Sequence, residues 1–359
     1  MTTDTIGGVW SYSCSLAAAL TELGSEVHLV TIGPRPSADQ RAMLRVRGVD
    51  IIETDLALEW QDPEGADVPN AKHLFAELEA RICPDVIHLN GFREATFDWI
   101  APAIVVAHSC VNSWARACND MAWLLEPRWQ NYTQAVGDGL NKAHAWISPS
   151  HAFHRVICDL YKPVSPGFVI WNGVTPDLSW STKRAFVLTA GRIWDRAKNI
   201  STLAALAPEL EWPLLIAGRT ANETATGATW LGSLDPEALR TRMRQAALFV
   251  SLACYEPFGL AVLEAASASC ALVLSDIPTF RELWDGAAVF VNPADAGELR
   301  HALAQLCCNY RRRTQLQHAA RERSQRYSLT RMAEAYRTLY VSSSARAERS
   351  GEYLLEAHA

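Results

Sequence analysis

The sequence predicts an α/β protein built from two doubly wound units. Three observations predict it. Short, nearly continuous apolar runs alternate with segments of helical spacing along the whole chain. The runs fall into two sets, separated by a Pro- and Gly-rich stretch at 163–173. Most runs end in a loop that carries glycine, charge or both. Continuous apolar runs of this length read as strands covered on both faces, the condition of a parallel sheet. Ligands of such sheets bind beyond the strand C-termini, where these polar loops fall. A chain of 359 residues has ample core for two domains.

The elements follow in order. Residues 26–32, 85–89, 103–107 and 145–148 read as the first set of strands. Between Gly8 and Leu23 apolar residues recur at helical spacing, and Gly24 is a C-cap. Only six residues precede Gly7-Gly8, so the first strand is short or the chain starts inside it. The second set is 186–190, 213–217, 248–251 and 271–274, and a final helix covers 329–340. The domains expected are 1–172 and 173–328, then a helix over 329–345 packing back toward the first domain and a patternless, disordered tail at 346–359.

Composition narrows the function. About half the residues are apolar and a fifth charged, as in soluble globular proteins. The most apolar region, 246–277, is interrupted by Glu256 and Glu264, so no transmembrane helix is expected. Thr2-Thr3-Asp4-Thr5 shows no signal peptide. Nine scattered cysteines without a CxxC pair read as reduced thiols of a cytoplasmic protein. Residues 1–165 hold 12 Lys/Arg against 20 Asp/Glu, a net of −8, and residues 166–359 hold 21 against 19, a net of +2. An acidic first half argues against attachment to nucleic acid or anionic lipid. Neither an H-x-x-x-H nor an Asp-x-Asp strand-end motif is present to hold a metal against a diphosphate.

The stretch from Tyr255 to Glu264 carries the most chemistry. Pro257 and Gly259 disfavour helix, which puts Glu256 on a loop. From about Leu260 the residues favour helix, and Glu264 falls in its first turns, near free N–H groups and the positive dipole end. Carboxylates accept from sugar hydroxyls, and helix-start amides donate to phosphate. Arg192 and Lys198 follow a strand directly. They are cations for a diphosphate leaving group, or surface charges with Arg196 paired to Asp195. Gly7-Gly8 is a phosphate-facing loop or a plain tight turn. His108 closes a strand, where it can donate a hydrogen bond to a sugar hydroxyl or phosphate; otherwise it is a partly buried structural histidine, as His88 reads. Trp114, Trp123 and Trp129 stack on sugar rings or form an aromatic core helix.

Together these residues resemble the retaining glycosyltransferases of family 4, the GT-B group related to glycogen and sucrose synthases. Gly7-Gly8, Asp85-Val86-Ile87-His88, Pro149-Ser150, Asn172-Gly173-Val174, Gly191-Arg192, Lys198, Glu256 through Glu264-Ala265, and Glu282 fall in the family's order. The resemblance implies two Rossmann-like domains facing across a cleft. It implies transfer of a hexose from a nucleoside-diphosphate sugar to a carbohydrate or lipid-linked acceptor hydroxyl, in polysaccharide or glycoconjugate synthesis, without a cofactor or metal. Glu256 would hold hydroxyls of the transferred sugar and Glu264 the ribose. Arg192 and Lys198 would bind the diphosphate. Amides around Phe258, Gly259 and Leu260 would meet sugar and phosphate. Gly7-Gly8 would approach the phosphate, His108 would lie near the sugar, and the base would sit near Gly218 and Leu231-Gly232-Ser233. Departure would be front-face, the leaving phosphate helping to deprotonate the acceptor. Arg192 and Lys198 are six positions apart where the family more often has five, and Ser269 and Ala271 replace its usual glycine and proline. The rival readings are a sugar-nucleotide epimerase, which would turn over without acceptor, and an inactive nucleotide-sugar-binding partner subunit.

Overall fold

The computed structural model describes residues 1–45, 49–179, 181–219 and 227–356. They form two compact units, Met1–Trp171 with Leu329–Ala359, and Asn172–Ser328. Both are α/β with parallel strands throughout.

Unit 1 runs β1 (Thr2–Asp4), α1 (Gly8–Glu22), β2 (His28–Ile32), α2 (Ala38–Arg45), β3 (Asp50–Ile52), α3 (Val68–Ile82), β4 (Ile87–Leu89), β5 (Ala103–Val106), α4 (Val111–Ala117), α5 (Pro127–Lys142), β6 (Ala145–Ser148), α6 (His151–Tyr161) and β7 (Gly167–Val169). Strands β1-β2-β3 make one sheet and β4-β5-β6-β7 another. Asn90 ties β4 to β1, its backbone N–H donating to the Thr2 hydroxyl at 2.9 Å. Successive side chains of β2 go to opposite faces. Leu29 packs with Trp10, Cys14 and Leu44; Val30 and Ile32 pack with Phe75, Leu78 and Phe97. That is why the strand is apolar at consecutive positions.

Unit 2 runs β8 (Arg184–Ala190), α7 (Ile200–Ala205), β9 (Leu214–Ala217), β10 (Ala228–Gly232), α8 (Pro236–Gln245), β11 (Ala246–Ser251), α9 (Leu260–Ser267), β12 (Ala271–Ser275), α10 (Pro278–Trp284), β13 (Ala288–Val291), α11 (Ala296–Cys308) and α12 (Tyr310–Ser324). Its sheet order is β10-β9-β8-β11-β12-β13. Leu188, Phe249, Leu272 and Leu274 enter one core, and Val187, Leu248, Val250 and Val273 the other. The order reverses between β8 and β11, so the loops after these two strands splay apart and leave a crevice.

The Pro- and Gly-rich stretch at 163–173 contains the boundary between the units, after Trp171, and also β7, which pairs with β6. Gly167 is a packing residue, since a Cβ on it would lie 2.4 Å from the Trp146 ring. The expected tail at 346–359 is helical as far as Glu356, because the last helix, α13 (Leu329–Glu356), runs on well past 345. Ala347, Glu348, Arg349, Leu354 and Leu355 are strong helix formers, with Gly351 the one residue against them. Among the described residues no helix is long and apolar enough to cross a membrane.

Ser269, where the resemblance leads one to expect glycine, has φ +62° and closes the turn after α9. Its hydroxyl accepts from Arg321 at 3.1 Å. The left-handed conformation costs a non-glycine residue about 1–2 kcal/mol. Ser269→Ala keeps that cost and loses the hydrogen bond, so it is expected to destabilise by about 1 kcal/mol. Ser269→Gly should be neutral or stabilising by up to about 1 kcal/mol. Denaturant midpoints of the two variants check this, and a stabilised Ser269→Ala would refute it.

Candidate active site

At the reversal point of unit 2, β8 leads into Gly191 and then a single 3-10 turn, Arg196–Lys198. Asp195 caps the turn by accepting from the Ala197 N–H at 3.0 Å. Its other oxygen takes the Arg192 guanidinium, at 2.6 Å from Nη2 and 3.2 Å from Nε. Asn199, at φ +51°, then swings the chain into α7. The loop after β11 is docked on it by a Cys254 N–H to Ala197 carbonyl bond of 2.8 Å. Lys198 Nζ therefore lies 2.5 Å from Glu256 Oε2, with both side chains largely shielded from water.

Gly259 starts α9 at φ +94° and supplies no side-chain cap. The first-turn amides thus stay available to an anion. A Cβ on Gly259 would lie 3.0 Å from Phe280 and 3.3 Å from the Glu256 stem. The Phe258 side chain is buried edge-on to Tyr327 and anchors the loop, so its backbone is what remains for ligand. Glu264 is the fifth residue of α9. Burial raises its carboxyl above the ordinary range, while Arg240 pulls it down. Beside these loops the glycines expected around a base stack closely. Gly191 N–H donates to Ala217 at 3.0 Å, and Gly218 N–H to Gly232 at 2.9 Å.

A cavity of about 440 Å³ lies elsewhere in unit 2, at the N-terminal ends of the strands, lined by Lys183, Arg184, Arg313 and Arg321. Two of these cations cap helix ends: Lys183 donates to the Met243 and Ala268 carbonyls, and Arg313 to Leu306 and Cys307. That role is structural.

In unit 1, Gly7 takes φ +80° between β1 and α1, and Gly7 and Gly8 are exposed. His108 follows β5. Its Nε2 lies 2.7 Å from Asn90 Oδ1, and Tyr12 packs edge-on to the ring at 4.5 Å. Burial pushes the imidazole down to about 3. Nε2 is thus engaged within the fold. His88 is buried, pushed down to about 3 mainly by burial, and bonded to Tyr340 and Asn90.

The tryptophans do not form a core helix. They lie on three elements, α4, the 3-10 turn Ala122–Leu125 and α5, and touch at 6.4 and 4.9 Å between ring centres in a half-buried cluster. Two features were missed. Asn90 was not among the candidates read from the sequence. Glu59 accepts the Phe92 and Arg93 amides beside Glu94, and burial together with Glu94 pushes its carboxyl up to about 8. Only the fold brings these two carboxylates together.

Comparison with known proteins agrees with this layout. Residues 6–178 match the profile of Glycosyltransferase Family 4, and residues 175–323 that of Glycosyl transferases group 1. A GDP-mannose:cellobiosyl-diphosphopolyprenol alpha-mannosyltransferase from Xanthomonas oryzae pv. oryzae is 41% identical over 254 residues, 60% of this chain and 62% of that one. Its counterpart from Komagataeibacter xylinus is 32% identical over 161 residues, 38% of this chain and 41% of that one. The matches thus span less than two thirds of these relatives. Sucrose-phosphate synthase from Thermosynechococcus elongatus superposes with a TM-score of 0.77 at 20% identity, over 95% of this chain and 96% of that one. HepE from Anabaena, in complex with UDP-glucose, gives 0.72 at 15% identity, over 95% and 100%. Matched by the two profiles in succession from residue 6 to residue 323, and sharing this fold along nearly its whole length, the chain belongs to the GT-B glycosyltransferases of family 4.

Proposed function

We propose that this protein transfers a hexose from a nucleoside-diphosphate sugar to an acceptor hydroxyl with retention at the anomeric carbon. The observation that carries the reading is the Lys198–Glu256 pair at the β8/β11 reversal point, beside the uncapped start of α9. The pair puts a cation for the diphosphate next to a carboxylate for sugar hydroxyls. Negative charge grows on the leaving β-phosphate as the C1–O bond breaks, and Arg192, Lys198 and the α9 amides stabilise it. The acceptor oxygen attacks from the face the phosphate leaves and gives its proton to the departing phosphate oxygen, so configuration is kept. Glu264 holds the ribose hydroxyls. The two mannosyltransferase relatives favour GDP-mannose as donor and a lipid-linked diphospho-oligosaccharide as acceptor.

The test is nucleotide release from GDP-, UDP- and ADP-sugars without acceptor, with Glu256→Ala as control. Slow release from GDP-mannose, lost in the variant, is expected. Proton NMR of the first glycoside formed should show the anomeric configuration of the donor. No release from any donor, with no thermal stabilisation by any of the nucleoside diphosphates, would overturn the reading.

A further inference from the structure

The cavity at the N-terminal ends of the unit 2 strands carries charge that its own walls do not balance. Lys183, Arg184, Arg313 and Arg321 line it, and among the described residues no carboxylate does. Asp177, whose backbone carbonyl accepts from Arg321 at 2.9 Å, has its carboxylate on Arg244 at 2.7 Å. Helix capping uses only part of what these cations hold. Arg313 spends Nη1 on the Leu306 and Cys307 carbonyls, and its Nε and Nη2 have no hydrogen-bond partner among the described residues. Its guanidinium lies over the Trp212 ring at 4.8 Å and the Tyr310 ring at 5.4 Å, so the group is fixed while one edge of the fork stays free. Arg184, the first residue of β8, has no side-chain partner among the described residues. Burial is the largest influence on the Lys183 ammonium and pulls it down, so an anion nearby would hold its charge.

Helix α12 adds to the excess. It opens with Arg311, Arg312 and Arg313 and no acid in its first turn, against the positive end of its own dipole. Arg313, Thr314, Gln317 and Arg321 share one face of the helix, and that face lines the cavity. The volume of about 440 Å³ falls in the range of small-ligand pockets, about 300–1,000 Å³.

We propose that this cavity binds a small soluble phosphate ester, with its phosphate on Arg184 and Arg313 and its hydroxyls on Thr314 and Gln317. Phosphate matches the parallel N–H bonds of a guanidinium fork. Lys183 and Arg321, held on carbonyls and on Ser269, contribute charge from behind. Gln317 Nε2 donates to the Ala247 carbonyl at 3.0 Å, which leaves its amide oxygen to accept from a ligand hydroxyl. The site is separate from the donor site, and it does not rest on the transferase reading. Arg184 begins β8 and Gly191 follows its last residue, and a strand of 7 residues spans roughly 20 Å. Both sites can be filled at once.

The experiment is calorimetric titration of the full chain with mannose 6-phosphate as probe, and with mannose and inorganic phosphate as controls. The ester should bind roughly tenfold tighter than inorganic phosphate, and mannose should give no heat. Arg184→Ala removes an exposed side chain that holds nothing else among the described residues, so it keeps the fold and should weaken the ester roughly three- to tenfold. Arg313→Gln should weaken it further, but it also uncaps α11, so Arg184→Ala is the decisive variant. Lys198→Ala should leave the affinity within about twofold, since it alters only the donor site. Binding lost in Lys198→Ala and kept in Arg184→Ala would place the ester at the donor site and overturn the proposal. So would the absence of binding at millimolar ester, or mannose binding as tightly as its phosphate. Inorganic phosphate binding as tightly as the ester would overturn it as well, because the hydroxyl contacts would then be missing.

Discussion

Lys198→Ala is expected to lower kcat by roughly 10²–10³, the cost of losing one preorganised group that stabilises a leaving anion. Arg192→Ala should cost a similar factor. Both cations are held by carboxylates, Lys198 by Glu256 and Arg192 by Asp195, which preorganises them. Lys198 is the more shielded of the two, with 21% of its side chain exposed against 40% for Arg192, so its charge is less screened. Glu256→Ala should abolish transfer and leave nucleoside-diphosphate affinity within a few-fold. The two groups touch, so their effects will not add; the double variant should cost little more than the worse single one. Steady-state kinetics with donor and calorimetry with the diphosphate separate these roles. A near-wild-type Arg192→Ala or Lys198→Ala enzyme would sink the diphosphate assignment. A Glu256→Ala protein that lost only nucleotide affinity would mean that Glu256 and Glu264 exchange roles.

What the sequence made legible follows from the range of the forces involved. Strands covered on both faces must be apolar at consecutive positions, so β2, β5, β9, β11 and β12 stood out. Gly259 and Pro257 mark a break that local sterics require, and the loop position of Glu256 followed. The Lys198–Glu256 contact joins residues 58 positions apart through the order of β8 and β11 in the sheet, which no local pattern encodes. Asn90 was illegible for a stronger reason. Apart from His88, its partners are Thr2, Ser13 and His108, between 18 and 88 positions away, and Asn before Gly resembles an ordinary turn. The last helix was cut short at 345 because the residues beyond it lack an apolar stripe, although their propensity alone favours helix.

Gly218→Ala is expected to cost about 2–5 kcal/mol of stability, combining overpacking with a disallowed backbone conformation. Gly218 has φ +151°, and a Cβ there would lie 2.1 Å from the Gly191 carbonyl oxygen and 3.2 Å from Ile193. Backbone is the rigid neighbour here. The strand ends are pinned by the Gly191–Ala217 and Gly218–Gly232 hydrogen bonds, so the methyl group must push Gly191 outward. Gly191 immediately precedes Arg192, so the variant should also lose donor affinity, with KM rising more than kcat falls. Gly232 provides the control at the neighbouring strand end. It too has positive φ, +65°, but a Cβ on it meets nothing within 4 Å. Gly232→Ala should therefore cost only the backbone strain, about 1 kcal/mol, and leave donor KM nearly unchanged. Thermal unfolding and donor kinetics on the two variants decide the matter. If Gly218→Ala and Gly232→Ala lose the same stability and the same affinity, close packing of the glycine ends does not shape the site. The contrast expected is a folded, active Gly232→Ala protein beside a Gly218→Ala protein impaired in both respects.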